Sequence, residues 1–255
     1  MIPDVHSTAL LPPDLAEFRD RYRATVVGPH YNGFAHLAFV VGVSLAVIAV
    51  ALSFVREPMW IDWPFIPGIF LAANVVEFLG HRGPMHHRVR GMGLMFHRHT
   101  HEHHQFFTDD WMTCRSQRDF KIVLFPPVML LFYLGIVALP FGLLFFFLGV
   151  RNICCFYVAT ATFYFMSYEV LHFTYHLDEK TWVARLPLIR FLRRHHQVHH
   201  RTELMTRYNF NINWPFADFL FGTVYQPAAE PAPVDHPESN SAADRCSPAA
   251  QFIAS

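Results

Sequence analysis

The chain has little cysteine. Only four occur in 255 residues, Cys114, Cys154, Cys155 and Cys246. No CxxC is present, which excludes a thiolate metal site or a disulfide framework as the organising feature and suits a reducing compartment. Cys154 and Cys155 lie side by side in an apolar run and read as packing residues. Charge of one sign is also missing: 20 Lys+Arg balance 20 Asp+Glu. Without a basic excess, no nucleic-acid partner is expected. There is no P-loop, no GxGxxG and no internal repeat. The first residues, MIPDVHSTALLPPDLAEFRDRYR, carry charge where a leader's apolar core would lie, so no signal peptide is expected.

Hydrophobic residues make up 53% of the chain, with 27 Phe, and they fall in runs. Residues 34–55 carry no charge before Arg56. At about 1.5 Å per residue they reach roughly 33 Å, enough for a hydrocarbon core of about 30 Å. Residues 60–80 form a second expected span, with Trp60 and Trp63 at an interfacial belt. Residues 122–150, interrupted by Pro126, Pro127 and Pro140, and residues 153–171 read as two more. Arg151 between them belongs near an interface, because an arginine at mid-bilayer costs about 2.5–3.5 kcal/mol. The predicted fold class is all-α: an integral membrane protein of about four transmembrane helices with a histidine-rich helical cap.

Three segments are expected. Residues 1–30 are polar, with an amphipathic piece that reads equally as an interfacial helix or a solvated one. Residues 31–225 form the membrane domain. Residues 226–255, rich in Pro, Ala and Ser, are expected to be disordered. Residues 208–225 are aromatic but broken by Asn209, Asn211, Pro215 and Asp218; they suit the interface beside a lipid entrance.

Fourteen of the 18 histidines fall in two blocks, residues 81–104 and 172–200. Two spans separate the blocks, so both lie on one side. Arg19, Arg21 and Arg23, seven Lys/Arg in 81–121 and seven in 180–207 share that side, against Arg56 and Arg151 opposite. The positive-inside rule places both termini and both blocks in the cytoplasm.

The spacing is that of metal ligands, since imidazoles four apart stack on one helical face. His172 and His176 are i, i+4. His196, His199 and His200 are i, i+3, i+4. His99 and His103 are i, i+4, with His104 adjacent. His81 and His86 are five apart across Gly83-Pro84, which predicts a helix end, a turn and a restart. These ten are the candidate ligands, too many for one tetrahedral ion and suited to two. His87, His97, His101 and His195 are surplus, and the stripes they form leave open the choice of His99 over His101 and His196 over His195. His6, His30, His36 and His236 are isolated and read as non-ligands. Glu77, four residues before His81, is a candidate partner to orient an imidazole; Glu169 and Asn209 are further candidates.

Two histidine-held metals beside a bilayer suit oxygen activation on a lipid, attacking an unactivated C–H bond. The four motifs, with LHFTYHL, RLPLIRFLRRHHQVHH and YNFNINWPFADFLFGT, resemble the fatty acid hydroxylase/sterol desaturase superfamily over roughly residues 70–225. The resemblance implies a four-span fold with a cytosolic cap, and two iron ions on the ten histidines, which zinc could replace in purified protein. It further implies O2 as co-substrate and a separate electron donor such as cytochrome b5, ferredoxin or a flavoprotein reductase. The expected activity is hydroxylation of a fatty acid, acyl chain or sterol-like lipid. Desaturation on the same centre is the alternative. A metal transporter would need ligands near mid-membrane, and a membrane haem protein would need facing histidines within the spans. A non-catalytic metal-binding membrane protein is the remaining rival.

Overall fold

A computed structural model describes residues 11–227. The expected disordered tail from 228, His6, His236 and Cys246 lie outside the described residues. Among these residues the structure is helical, with no strand.

Helix α1 (Pro13–Thr25) precedes α2 (Gly33–Ser53). Asn32 starts α2 by accepting the Ala35 N–H on its side chain at 3.0 Å. After α2 the chain turns and enters α3 (Phe65–Gly80), which runs directly into a π-helical turn, His81–Met85. Short α4 (Gly93–Phe96), a second π turn (His97–His103) and α5 (His104–Phe106) complete the first histidine block. The chain then returns through a 3-10 turn (Gln117–Asp119) and α6 (Phe120–Val123). Next come α7 (Pro127–Tyr133), a π turn (Leu134–Ala138) and α8 (Leu139–Phe147). Pro140 cannot donate to the helical ladder, and the π turn just before it accommodates the break. Helix α9 (Arg151–Tyr175) leads to α10 (Pro187–His199) and short α11 (Phe216–Leu220).

Among the described residues, three stretches are long and apolar enough to cross a membrane: Gly33–Ser53, Gln117–Phe147 and Arg151–Tyr175. The expected span at 60–80 appears as α3, 16 residues long. Outward positions on α2 and α8, among them Phe39, Leu45, Val50, Phe141 and Phe147, leave apolar side chains exposed. That pattern is inverted for water and normal for lipid.

Helix α9 is the central post, packed against α2, α3, α8 and α10. Its composition changes along its length. The half near Tyr175 buries Tyr168, Glu169, His172 and Phe173 and packs into the histidine-rich region. Helix α10 buries Ile189, Leu192, Arg193, His196 and His199, one face by helical period, and turns Arg190, Phe191 and Arg194 outward. Helix α1 docks on the segment that follows the first histidine block. Arg19, fully buried, donates to the carbonyls of Phe106 at 2.8 Å, Trp111 at 2.6 Å and Thr113 at 3.3 Å. Arg23 pairs with buried Asp119 at 2.7 Å.

Candidate metal centre

The ten histidines expected as ligands are all buried, none more than 8% exposed. They gather in two groups. Ring nitrogens of His81, His86, His99, His104 and His199 lie within 4.8 Å of one another, and so do those of His103, His172, His176 and His196. His200 stands between the groups. Its ring stacks on His104 with centroids 4.3 Å apart, and its Nε2 lies 3.0 Å from His196 Nε2. The Nε2 atoms approach closely: His81 to His99 at 2.8 Å, His86 to His199 at 2.9 Å, His99 to His104 at 3.1 Å and His103 to His172 at 3.2 Å. Imidazoles bound to one ion at about 2.0–2.1 Å place their nitrogens roughly 3.0–3.4 Å apart.

Two π turns produce this convergence. A π turn closes on the fifth residue instead of the fourth, so i and i+5 come to one face. His81 and His86 span one such turn, and their rings stack 5.1 Å apart. The expected helix end, turn and restart is therefore corrected: α3 continues without interruption into the wider turn. Pro84 has no N–H to donate in either winding, and its ring would clash with the carbonyl four residues back in an α turn, a clash the wider turn relieves. The second π turn does the same for His99 and His104 and sends His103 to the other group. His196 and His199, which the spacing puts on one helical face, divide between the groups.

Backbone carbonyls hold the outer ring nitrogens. His103 Nδ1 donates to Ile122 O at 3.2 Å, His176 to Met112 O at 2.7 Å, His199 to Tyr208 O at 2.9 Å and His200 to Phe107 O at 2.6 Å. His81 Nδ1 donates to Phe210 O. A carbonyl can only accept, so the proton sits on Nδ1 and Nε2 is bare in these five rings. His176 Nε2 is buried with no hydrogen-bond partner. Five bare ring nitrogens converging with those of five further neutral imidazoles are an arrangement a cation can occupy, and the donor set fits imidazole-loving transition ions.

Electrostatics agree. Burial, then the neighbouring imidazoles, hold His81, His99, His104, His196 and others of the set well below the ordinary histidine value. The same causes push His86 down to about 2. Burial takes His199 to about 4 against the opposing pull of Tyr208 O and Asp218. Neutral imidazole is the ligating form.

The surplus histidines stay outside. His87 is exposed and bonded to Arg82 O at 2.8 Å. His97 lies 3.3 Å from Glu102, and His101 meets the Phe96 ring edge-on. His195 Nε2 sits 3.1 Å from Asp218. Of the isolated histidines, His30 is exposed and His36 bonds Tyr31 and Phe125 O. Glu77 does not reach His81. It accepts from Tyr164, Ile212 and Asn213 instead. Glu169 takes the Phe125 N–H at 3.0 Å, and Asn209 ties His195 O to Tyr225 N–H. Residues 209–213, expected at the interface, are buried against the site, while Phe216, Phe219 and Leu220 beside them are exposed. Two residues of consequence escaped the sequence reading. Arg19 resembled any arginine of a polar helix. Asp218 had a signal: it is the one charge in the apolar stretch WPFADFLFG, and a charge there must be partnered.

A family model described as fatty acid hydroxylase matches residues 66–223, more than half of the chain and every histidine of both groups. No curated protein and no solved structure matches.

Proposed function

The chain belongs to the fatty acid hydroxylase family, and from that premise we propose that it is an O2-dependent membrane lipid hydroxylase holding two iron ions. One ion takes His81, His86, His99, His104 and His199; the other takes His103, His172, His176 and His196, with His200 leaning to this side. The observation that carries the reading is the division of buried imidazoles into two converging sets. Bound iron would supply the redox chemistry by which O2 attacks an unactivated C–H bond.

The chain's own part is to bind, orient and exclude water. The five carbonyl contacts fix tautomer and ring plane before any metal arrives. Phe107 lies 4.1 Å from the His176 ring and Phe210 5.7 Å from the His199 ring, centroid to centroid, both phenyls fully buried. They keep water from the imidazoles. Exposed Leu79 on α3 and Phe216, Phe219 and Leu220 offer an apolar approach for a lipid chain beside the first set.

Helix α3, extended by Trp60 and Trp63, serves as the fourth span. Both histidine blocks and the N-terminus then lie on the cytoplasmic side. Two electrons per turnover come from a separate carrier of cytochrome b5, ferredoxin or flavoprotein type. The clusters sit in the last turn of α9 and just past α3, not at mid-span, which weighs against a transporter.

The test is metal content with product analysis. Protein purified anaerobically from membranes is expected to hold two irons per chain and, with a chemical reductant and 18O2, to place labelled hydroxyl on an acyl lipid. An unlabelled product with a new double bond would assign desaturation. Absence of metal, or metal unchanged in His196→Ala, would reject the two-ion reading.

A further inference from the structure

Four successive backbone N–H groups, Phe210 to Asn213, donate to two carboxylates, Asp218 buried and Glu77 half-buried. Asp218 takes the first pair, Phe210 N–H on Oδ1 at 2.9 Å and Asn211 N–H on Oδ2 at 2.8 Å. Glu77 takes the second pair on one oxygen, Ile212 N–H and, at 3.2 Å, Asn213 N–H. The carboxylates come from separate elements, α11 and α3. Each has a further partner. Asp218 also accepts from the Thr223 hydroxyl at 2.6 Å and faces His195 Nε2 at 3.1 Å. Glu77 accepts from the Tyr164 hydroxyl. Asn74 and Asn211 brace the same segment: Asn211 Nδ2 donates to Asn74 O at 3.1 Å, and Asp218 N–H donates to Asn211 Oδ1 at 3.1 Å.

A non-helical segment has no ladder to hold it, and here charged acceptors take that role. The carbonyls of the segment point to a use. Tyr208 O receives His199 Nδ1–H and Phe210 O receives His81 Nδ1–H. Both rings belong to the same group. The carbonyls that hold His103, His176 and His200 come from Ile122, Met112 and Phe107, on other elements. The clamp therefore serves one group alone.

We infer that Glu77 and Asp218 are positioning residues for the first metal group: through the 208–213 backbone they set the tautomer and aim of His81 and His199, and so the metal affinity of that group, without touching it. The inference rests on the two-ion reading above. It gives the two ions unequal dependence on these carboxylates.

The experiment uses the full chain in detergent, loaded with zinc alone and titrated with a competing chelator. Wild type is expected to hold two ions. Asp218→Asn keeps the size but turns an amide N–H toward a donor it should accept from. Glu77→Leu removes the other anchor. Each is expected to weaken one ion about 10–100-fold, the range for outer partners of ligating histidines, and to leave the other at wild-type affinity. In a His176→Ala background, which cripples the second group, Asp218→Asn should weaken the remaining ion by the same factor. Glu77→Gln should recover binding relative to Glu77→Leu: its carbonyl can keep Ile212 and Asn213 while the Tyr164 hydroxyl turns to accept. Circular dichroism separates folded variants from collapsed ones, and Asp218→Asn decides the matter where Glu77→Leu fails to fold. Equal weakening of both ions in a folded variant, no weakening at all, or Gln no better than Leu would overturn the inference. A wild type without two ions would remove the two-ion reading and the inference together, a result visible before any variant is made.

Discussion

His99 and His104, five residues apart, bring their Nε2 atoms to 3.1 Å, while His99 and His103, four apart, serve different groups with their rings stacked at 5.3 Å. An α-helix would pair the residues four apart. The π turn exchanges that pairing and lets one short segment feed both groups.

This register makes a direct prediction. His99→Ala should reduce bound metal from two ions to one and lower hydroxylation by more than the roughly 10–100-fold seen for outer partners. His101→Ala, whose ring sits against Phe96 outside both groups, should leave metal content unchanged. Metal analysis of the two variants side by side settles the register; equal loss in both would contradict it.

Arg19 should matter more for stability than any surface arginine. Its replacement by Met strips the donors from three carbonyls, those of Phe106, Trp111 and Thr113. Each buried group left unsatisfied costs about 1–3 kcal/mol, so a loss of roughly 3 kcal/mol or more is expected. Phe107 O, next to one of these carbonyls, holds His200, so metal at the second group should also loosen. Thermal unfolding in detergent reads the first effect and chelator competition the second. Arg19→Lys should not restore either, because an ammonium cannot span the fork.

Gly33 is required where α2 starts. A Cβ there would meet Gln117 O and, at 2.6 Å, the Phe120 ring. Gly33→Ala should destabilise by about 1–3 kcal/mol through overpacking. Gly42, on the same helix with nothing within 4 Å, should accept Ala without loss. Melting temperatures of the two variants in one detergent make the comparison.

Metal-free protein should be acid-sensitive well above the carboxylate range. The unfolded chain takes up protons on its histidines near pH 6.5, whereas folded His199 resists down to about 4 and His86 to about 2. Between those values the unfolded state binds more protons, so stability falls as pH falls. It should be full above about pH 6.5 and decline steadily toward pH 4. Unfolding temperatures of chelated protein at pH 7.5, 6 and 5 give the slope; a flat profile would contradict the burial of neutral imidazoles.

The apolar runs and the two histidine blocks were legible because they depend on side-chain type alone. The same ten histidines that spacing selected are the ones brought together. Their division between two groups was not legible, since it depends on whether the helix winds by four residues or five, and Pro84 was read as a stop. The partners of the rings were hidden for another reason: the carbonyls of Phe107, Met112, Ile122, Tyr208 and Phe210 belong to the backbone and leave no trace in residue identity. Arg19 was hidden because its acceptors are carbonyls too. Glu77 was read as a direct companion of His81 from helical period, but its carboxylate turns to the 212–213 backbone.

Both groups draw a ring from the 196–199 stretch of α10 as well as from the 81–104 block. During synthesis the earlier block leaves the ribosome, and two apolar stretches are made before the later block follows. Neither group can close on an ion until α10 has emerged and docked on α9. If the two groups hold the proposed ions, loading is a late event in the protein's biogenesis, and a chain stalled before residue 196 would wait with both groups half-built.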